Sequence, residues 1–143
     1  MALNVRGLKK STKQRQLFRW LHQQNADVIF LQETYSSSQT IKQSHGSSHN
    51  RGVMIRFKPK INVSIDKIIR DKNGRYVLSE VFLDDVKFIF VNIYAPNDQK
   101  QQIHFLRDLS KSVLNNYANE ALVLGGDLNC ALTELDKRGG RSV

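Results

Sequence analysis

Short apolar runs recur along the chain, and several of them end abruptly in polar residues. Residues 27–31 are followed by Gln-Glu-Thr, residues 88–93 by Tyr-Ala-Pro-Asn, and residues 121–124 by Gly-Gly-Asp-Leu-Asn. Apolar runs of this length are typical of strands that are buried on both faces. The pattern therefore predicts buried strands with polar side chains at their ends.

Two amphipathic stretches predict helices. Apolar residues recur at helical spacing between positions 17 and 21, and again between positions 103 and 114. Ser11 and Gln14 have the spacing of a capping box, which predicts Ser11 as the N-cap of the first helix. Trp20 belongs to the apolar face of this helix, so we expect it in the core.

The remaining segments predict further strands joined by turns. Apolar residues alternate on both sides of Pro59, Asn73-Gly74 is a strong hairpin signal, and Asp84-Asp85 indicates a second turn. Residues 35–50 are rich in Ser, Gln, His and Thr, which favours a loop. The predicted fold class is α/β (α+β), with one mixed sheet of about six strands and two helices on one face. Without a linker or an internal repeat, residues 1–143 form a single domain.

The charge balance points to an anionic partner. Lys and Arg number 22 against 13 Asp and Glu, so the formal net charge is +9. Such an excess favours nucleic acid, although a basic surface kept for solubility is the alternative. Aromatic residues make up only 8% of the chain, so contact with a duplex backbone is favoured over a base-stacking platform.

Other compositional features exclude several classes of protein. Cys130 is the only cysteine, which excludes a disulfide framework and a cysteine-based zinc site. We expect this thiol to be a small buried apolar group. No apolar stretch approaches the roughly 18 residues of a membrane span, and the N-terminus lacks the apolar core of a signal peptide. These observations predict an intracellular protein with no membrane partner.

The strand ends supply the candidate chemistry. Asp127 and Asn129 are two residues apart, which places both side chains on one side of an extended segment. Carboxylate and amide groups at a strand end suit a metal or a phosphate, although Gly, Asp and Asn also form turns for purely conformational reasons. Sites in open sheets gather where several strand ends converge. The polar residues that follow the other apolar segments are therefore candidates for the same site, and they are Asn4 and Arg6, Gln32-Glu33-Thr34, and Tyr94 with Asn97.

The motifs at these strand ends resemble, in order, those of the endonuclease/exonuclease/phosphatase superfamily. They are most similar to the apurinic-like endonuclease domain of non-LTR retrotransposons, and the resemblance runs from residue 4 to about residue 140. The four motifs are Asn-Val-Arg-Gly-Leu from Asn4, Leu-Gln-Glu-Thr from Leu31, Ile-Tyr-Ala-Pro-Asn from Ile93, and Gly-Gly-Asp-Leu-Asn from Gly125.

The resemblance implies a Mg²⁺-dependent phosphodiesterase, with Mn²⁺ as a possible substitute. Glu33 would be the principal metal ligand, and Asn4 would lie beside the metal or orient its ligand. Tyr94 would place its hydroxyl against the scissile phosphate. Asp127 would orient or deprotonate the attacking water or assist the leaving oxygen, and Asn129 would hold a phosphate oxygen.

The resemblance also implies contacts with the substrate outside the catalytic group. Asn97 and Arg6 would contact DNA. Arg51 and Arg138 are further candidates for phosphate contacts, with a solvated surface arginine as the alternative for each.

The family fold is a pair of packed sheets with helices outside each. We therefore expect this chain to form half of a four-layer α/β/β/α sandwich, with one sheet face uncovered. The family's later Asp and its closing Asp-His pair have no counterpart after Asn129. The expectation is an incomplete domain over residues 1–143, the first half of a DNA-nicking endonuclease that is inactive as given. In the parent element a reverse transcriptase would follow on the same polyprotein, and an active form would be nuclear.

Three other functions remain open from the sequence. The same fold could act on a phosphoinositide or sphingolipid head group. The chain could be a non-catalytic basic module that binds nucleic acid. It could also be an inert remnant without a stable fold.

Overall fold

The chain folds into two four-stranded sheets that pack face to face. The computed structural model describes residues 1–35, 47–50 and 52–130. The first sheet has the order β1-β2-β4-β3, and the second has the order β5-β6-β7-β8. The strands are β1 (Ala2–Asn4), β2 (Val28–Gln32), β3 (Ser47–Asn50), β4 (Val53–Phe57), β5 (Val63–Arg70), β6 (Tyr76–Leu83), β7 (Val86–Tyr94) and β8 (Leu122–Asp127).

Each sheet combines antiparallel pairs with one parallel pair. In the first sheet β1 runs parallel to β2, while β4 is antiparallel to both β2 and β3. In the second sheet β5, β6 and β7 are antiparallel neighbours, and β8 runs parallel to β7. The β5–β6 and β6–β7 turns contain the predicted Asn73-Gly74 and Asp84-Asp85 pairs. Asp84 and Asp85 have φ values of 47° and 66°, the left-handed conformation that a tight hairpin turn requires.

The central core lies between the two sheets. The Phe90 ring of the second sheet meets the Phe57 ring of the first edge-on, with centroids 5.4 Å apart. Such an aromatic pair adds packing energy beyond its buried area. The buried members of this core are Phe30, Val53, Ile55, Phe57, Val77, Val81 and Phe90.

A helix covers the outer face of each sheet. Helix α1 (Ser11–Gln23) packs on the first sheet through Leu21, with Leu17 and Phe18 partly buried beside it. Helix α2 (Gln99–Ser112) packs on the second sheet and is followed by a short 3₁₀ helix (Leu114–Tyr117). The layers are therefore helix, sheet, sheet and helix. No helix in the described ranges is long and apolar enough to cross a membrane.

The α+β class is confirmed, but the expected single sheet with both helices on one face is wrong. After β4 the chain turns within a few residues, and β5 begins a second sheet instead of extending the first. The strands that are apolar on both faces pack against a helix on one face and against the opposite sheet on the other face. The sheet face that was expected to be uncovered is therefore buried.

Three local predictions also need correction. Lys10, not Ser11, is the N-cap of α1, and the Gln14 side chain donates to the Leu8 carbonyl instead of closing a capping box. Trp20 is 43% exposed, because the helix packs through neighbouring residues and leaves this ring at the edge of the contact. Residues 47–50, expected in a loop, form β3 by pairing with β4.

Candidate active site at the strand ends

The two parallel strand pairs bring four strand ends to one edge of the sandwich. In the first sheet Asn4 at the end of β1 lies opposite Gln32 at the end of β2. In the second sheet Tyr94 at the end of β7 lies opposite Asp127 at the end of β8. Because β1 and β8 contact each other across the sandwich, side chains from both sheets meet at this edge.

The Asn4 amide connects the two carboxylates of the site. Its Nδ2 donates to Glu33 Oε1 at 2.8 Å and to Asp127 Oδ2 at 3.2 Å. The two acceptor oxygens are therefore separated by no more than the sum of these lengths, although 94 positions separate the residues in sequence. The Asn4 Oδ1 atom accepts from the Arg6 backbone N–H at 3.1 Å, which fixes the orientation of the amide.

Tyr94 of the second sheet also contacts the Glu33 carboxylate. Its hydroxyl donates to Glu33 Oε1 at 3.0 Å, the same oxygen that the Asn4 amide contacts. Partial burial, and next the bond to the Glu33 carboxylate, raise the pKa of Tyr94 above its usual value. The phenol is therefore protonated at neutral pH and acts as a hydrogen-bond donor.

Asn129 is held beside Asp127 by two hydrogen bonds. Its backbone N–H donates to Asp127 Oδ1 at 3.0 Å, and its Nδ2 donates to the Ala95 carbonyl at 2.6 Å. Gln102 of α2 donates to the carbonyls of Leu128 and Asn129 at 2.7 and 3.1 Å. This segment is thus anchored to the second sheet and to its covering helix.

Three residues of the site adopt left-handed backbone conformations. Arg6, Glu33 and Asn129 have φ values of 50°, 56° and 49°. A non-glycine residue in this region costs about 1–3 kcal/mol, and such strain persists only where the surroundings impose it. For Glu33 the restraint includes a hydrogen bond from the Gly7 N–H to its carbonyl at 2.6 Å.

Two glycines allow β8 to approach its neighbours closely. A Cβ atom at Gly125 would collide with the Phe30 ring of the first sheet. A Cβ at Gly126, where φ is 136°, would collide with the Ile93 backbone of β7. Strand β8 therefore approaches a neighbour closely at both glycines, which places Asp127 next to Asn4.

A buried amide pair fixes the distance between the sheets behind the site. Gln32 Nε2 donates to Asn92 Oδ1 at 2.8 Å. Asn92 Nδ2 donates to the carbonyls of Leu31 and Met54 at 2.9 and 2.8 Å. Gln32 and Asn92 are 1% and 0% exposed. Because Gln32 precedes Glu33, and Asn92 is two residues before Tyr94, the pair sets the relative positions of these catalytic candidates.

Known proteins share both the sequence pattern and this arrangement of strands. The Endonuclease/Exonuclease/phosphatase family matches residues 1–142 of the chain. The chain belongs to this family. The resemblance that the four motifs indicated is therefore confirmed.

Individual relatives extend the family comparison. The chain is 24% identical over 146 residues to the Transposon TX1 uncharacterized 149 kDa protein of Xenopus laevis, which covers 94% of this chain and 11% of that protein. The structure is similar to a humanized D. rerio TDP2, with a TM-score of 0.69 and 16% identity over 97% of this chain. It is also similar to the endonuclease domain of TRAS1, a telomere-specific non-LTR retrotransposon, with a TM-score of 0.61 and 17% identity over 92% of this chain.

The chain is shorter than these relatives. It spans about a tenth of the transposon protein, 65% of the TDP2 chain and 60% of the TRAS1 domain. At these low identities the two structural matches establish the fold of the family for this chain.

The donor set fits a divalent cation of the kind that enzymes of this family generally use. Among the described residues no three His, Cys, Asp or Glu side chains cluster as a metal cage. Mg²⁺ does not require one, because it is usually held by one or two carboxylates and retains several waters. Among the described residues, the hydrogen bonds to the Glu33 carboxylate go to Oε1, which leaves Oε2 open to a cation. The Asn4 amide nitrogen faces the two carboxylates, while the amide oxygen accepts from the Arg6 backbone N–H.

A groove next to the carboxylates gives access to the site. Its volume is about 570 Å³, and its walls include Asn4, Asp127 and Asn129. Cys130 also lines it and is exposed, so the expectation of a buried thiol is wrong. The chain leaves β8 at Asp127 and lines this groove as far as the exposed Cys130.

The side chains of the two predicted substrate contacts lie outside this hydrogen-bonded group. Asn97 is exposed, and no hydrogen bond joins its side chain to the catalytic candidates within the described ranges. The Arg6 side chain is also exposed and lines a separate basic concavity. Arg51 and Arg138 lie outside the described residues. Sequence analysis did not identify Gln32 and Asn92, although an asparagine inside the apolar run of β7 was a visible signal.

Proposed function

We propose that this chain carries the metal-binding and phosphate-binding groups of a Mg²⁺-dependent phosphodiesterase that nicks DNA. The observation that carries the proposal is the single Asn4 amide that bonds to Glu33 and Asp127 on different sheets. Two partly buried carboxylates held this close together, with a tyrosine hydroxyl beside them, form a site for a cation and a phosphate.

The side chains suggest separate roles around the scissile phosphate. Glu33 would hold Mg²⁺ through its open Oε2, and Asn4 would keep that carboxylate in place. When bound, the ion would neutralise negative charge on the phosphate. The Tyr94 hydroxyl points toward the Glu33 carboxylate and would donate a hydrogen bond to a phosphate oxygen bound there. Asp127 would accept the proton of the attacking water, with Asn129 fixing the orientation of the carboxylate.

A basic concavity beside the site favours DNA as the substrate. Arg6, Lys9, Lys10 and Lys13 line a shallow depression of about 340 Å³. The Lys13 Nζ atom donates to the backbone carbonyls of Val5 and Arg6 at 2.7 and 3.1 Å, so this charge is held next to the segment that carries Asn4. None of the four cations forms a salt bridge within the described part of the chain. They are therefore available to the phosphates of a strand that passes the site.

The chemical step is expected to be slow in this chain by itself. The four histidines are His22, His45, His49 and His104, and none follows an aspartate as in the family's closing Asp-His pair. A positioned acid–base group typically contributes about 10²–10⁴-fold in rate. We propose that the chain binds metal and DNA but nicks DNA below the limit of detection.

Its similarity to a segment of a 149 kDa transposon protein favours a parent polyprotein that also carries a reverse transcriptase.

The test separates metal binding from cleavage. Tb³⁺ is a luminescent probe for sites with oxygen ligands, and its emission can be excited through a nearby tyrosine. We expect Tb³⁺ emission that Mg²⁺ displaces, and loss of that emission in Glu33→Ala. Glu120→Ala is the matched control. Glu120 is a carboxylate outside the candidate site that forms an ion pair with Lys87 of β7.

Supercoiled plasmid completes the test. The chain with Mg²⁺ should leave it as intact as the chain with EDTA. Robust nicking that Glu33→Ala abolishes would overturn the proposed inactivity. Failure of Mg²⁺ to displace Tb³⁺, or equal Tb³⁺ binding by Glu33→Ala, would overturn the metal-dependent function itself.

A further inference from the structure

Arg75 is a partly buried cation that lies against the proposed catalytic tyrosine. Its guanidinium carbon is 5.2 Å from the centre of the Tyr94 ring, on the ring face. The backbone holds the two residues together as well, since the Tyr94 N–H donates to the Arg75 carbonyl at 2.7 Å. Arg75 thus reaches the side of the Tyr94 ring while the Tyr94 hydroxyl reaches Glu33.

The Arg75 guanidinium has no carboxylate partner among the described residues. Asp71 is nearby, but one of its oxygens accepts from the Arg75 backbone N–H at 2.8 Å. A planar, permanently charged donor group with free N–H bonds is well suited to a phosphate. Stacking on Tyr94 holds the group flat without using these donors.

A second groove is lined in part by Arg75 and by none of the residues that form hydrogen bonds around Glu33 and Asp127. It has a volume of about 640 Å³ and runs between the β5–β6 turn and helix α2. This volume lies within the range of about 300–1,000 Å³ that is typical of small-ligand sites. Besides Arg75, its walls carry the aromatic rings of Tyr76 and Phe105, the Gln101 amide, and the carboxylates of Asp71 and Asp108.

Charged groups of both signs line the groove. Arg75 lines it and also stacks on Tyr94, whereas Asp71 and Asp108 supply carboxylates, and Asp108 lies 3.2 Å from His104. Carboxylates repel a phosphate but accept hydrogen bonds from the N–H groups of a nucleobase. Phe105 and Tyr76 provide apolar ring surface for such a base.

We propose that Arg75 binds the phosphate next to the scissile one, and that the groove binds the nucleoside attached to that phosphate. The ligand is one nucleotide of the substrate strand, turned out of the stack. This inference rests on the proposed function, because it assigns a further part of the same DNA substrate.

Binding without catalysis tests the inference. The probe is a fluorescein-labelled single-stranded tetranucleotide, measured by anisotropy in EDTA, with an all-abasic tetramer of the same charge for comparison. A base stacked on an aromatic ring contributes about 1–3 kcal/mol, so the normal tetramer should bind about fivefold or more tightly than the abasic one. Arg75→Ala should weaken the binding of both tetramers about tenfold, whereas Gln101→Ala should weaken only the normal one.

Lys72→Ala is the matched control, because it removes the same charge from the same turn outside the groove lining. It should change binding less than twofold.

Arg75→Lys addresses misfolding, because it keeps the charge but loses the planar stack. Its affinity for the tetramers should lie between those of wild type and Arg75→Ala. Equal effects of Arg75→Ala and Lys72→Ala would overturn the phosphate contact, and equal binding of the two tetramers would overturn the nucleoside site. Neither result depends on metal, so they are distinguishable from failure of the Tb³⁺ test.

Discussion

At the scale of single residues, the site depends on an amide that contacts two like charges. The Asn4 Nδ2 atom offsets repulsion between the Glu33 and Asp127 carboxylates by donating to both. The Asn4 amide therefore stabilises the close arrangement of the two carboxylates.

Replacing Asn4 by aspartate should make folding depend on metal. Asn4→Asp would leave three carboxylates together, and the loss of charge-assisted hydrogen bonds should lower the free energy of unfolding in EDTA by about 1.5–3 kcal/mol. Mg²⁺ should raise the melting temperature of this variant more than that of wild type, because binding to the folded state stabilises it. Thermal melts with and without Mg²⁺ measure both effects.

Asn25→Asp provides the comparison, because Asn25 is exposed just after helix α1. This variant should melt near wild type under both conditions. If Asn4→Asp behaves in EDTA like Asn25→Asp, the Asn4 amide does not have the role described above.

Much of the site could be predicted at this scale because its signals are local. Glu33, Tyr94 and Asp127 stand at the ends of apolar runs, and that position alone marks them as candidates. The direction of the Asn4 amide could not be predicted, since it depends on partners 29 and 123 positions away in the sequence. The Arg75 stack was missed for the same reason.

At the scale of elements, a buried acid ties the second sheet to the 3₁₀ helix. Glu80 on β6 is 6% exposed and accepts from the Tyr117 hydroxyl at 2.6 Å. Lys87 on the neighbouring strand lies 3.3 Å from its other oxygen. The Tyr117 hydrogen bond, and next the lysines, hold the pKa of Glu80 below its usual value.

This contact predicts a loss of stability at alkaline pH. Burial, and next the bond to Glu80, raise the pKa of Tyr117 from 10.0 to about 12. The folded state therefore retains a proton that the unfolded chain loses. The contribution is complete below pH 10 and is lost as the pH rises to about 12. At about 1.4 kcal/mol per pH unit it amounts to roughly 3 kcal/mol.

Urea unfolding of wild type and Tyr117→Phe at about pH 8 and pH 11 measures this contribution. The difference between the two proteins should shrink as the pH rises, because the other titrating groups are common to both. Glu80 has the opposite sign: its contribution is present above its unfolded pKa and is lost on acidification. A constant difference between the two proteins across the alkaline range would show that Tyr117 does not titrate as described.

The division into two sheets could not be predicted from the elements themselves. Helix and strand positions follow from periodicity, and the hairpins at Asn73-Gly74 and Asp84-Asp85 follow from turn chemistry. Whether β5 extends the first sheet or begins another depends on the path of residues 58–62, which carries no such signal. Apolar positions on both strand faces were compatible with either arrangement.

At the scale of the whole molecule, the basic excess is concentrated in part beside the site. If Lys9 and Lys10 contact DNA phosphates, affinity for a duplex should fall steeply with salt, because each contact releases counterions. Removing both lysines should reduce the slope of log K against log salt by about 1.8, at about 0.9 per contact. Duplex binding over a range of KCl concentrations measures this slope.

Lys60→Ala supplies the control, because Lys60 follows β4 at the end of the first sheet away from the site. Its removal should leave the slope nearly unchanged. A slope that is unaffected by Lys9→Ala and Lys10→Ala together would place the DNA path elsewhere on the surface.

The two sheets also differ in where they lie along the chain, and this has a consequence for folding. The first sheet uses only residues 2–57 and the second only residues 63–127. Each sheet can therefore form from contiguous chain before the other is complete, as on a ribosome. Because the first sheet supplies Asn4 and Glu33 while the second supplies Tyr94 and Asp127, neither intermediate contains the site. We expect tyrosine-sensitised Tb³⁺ emission to appear only in the last refolding phase, when the two sheets dock.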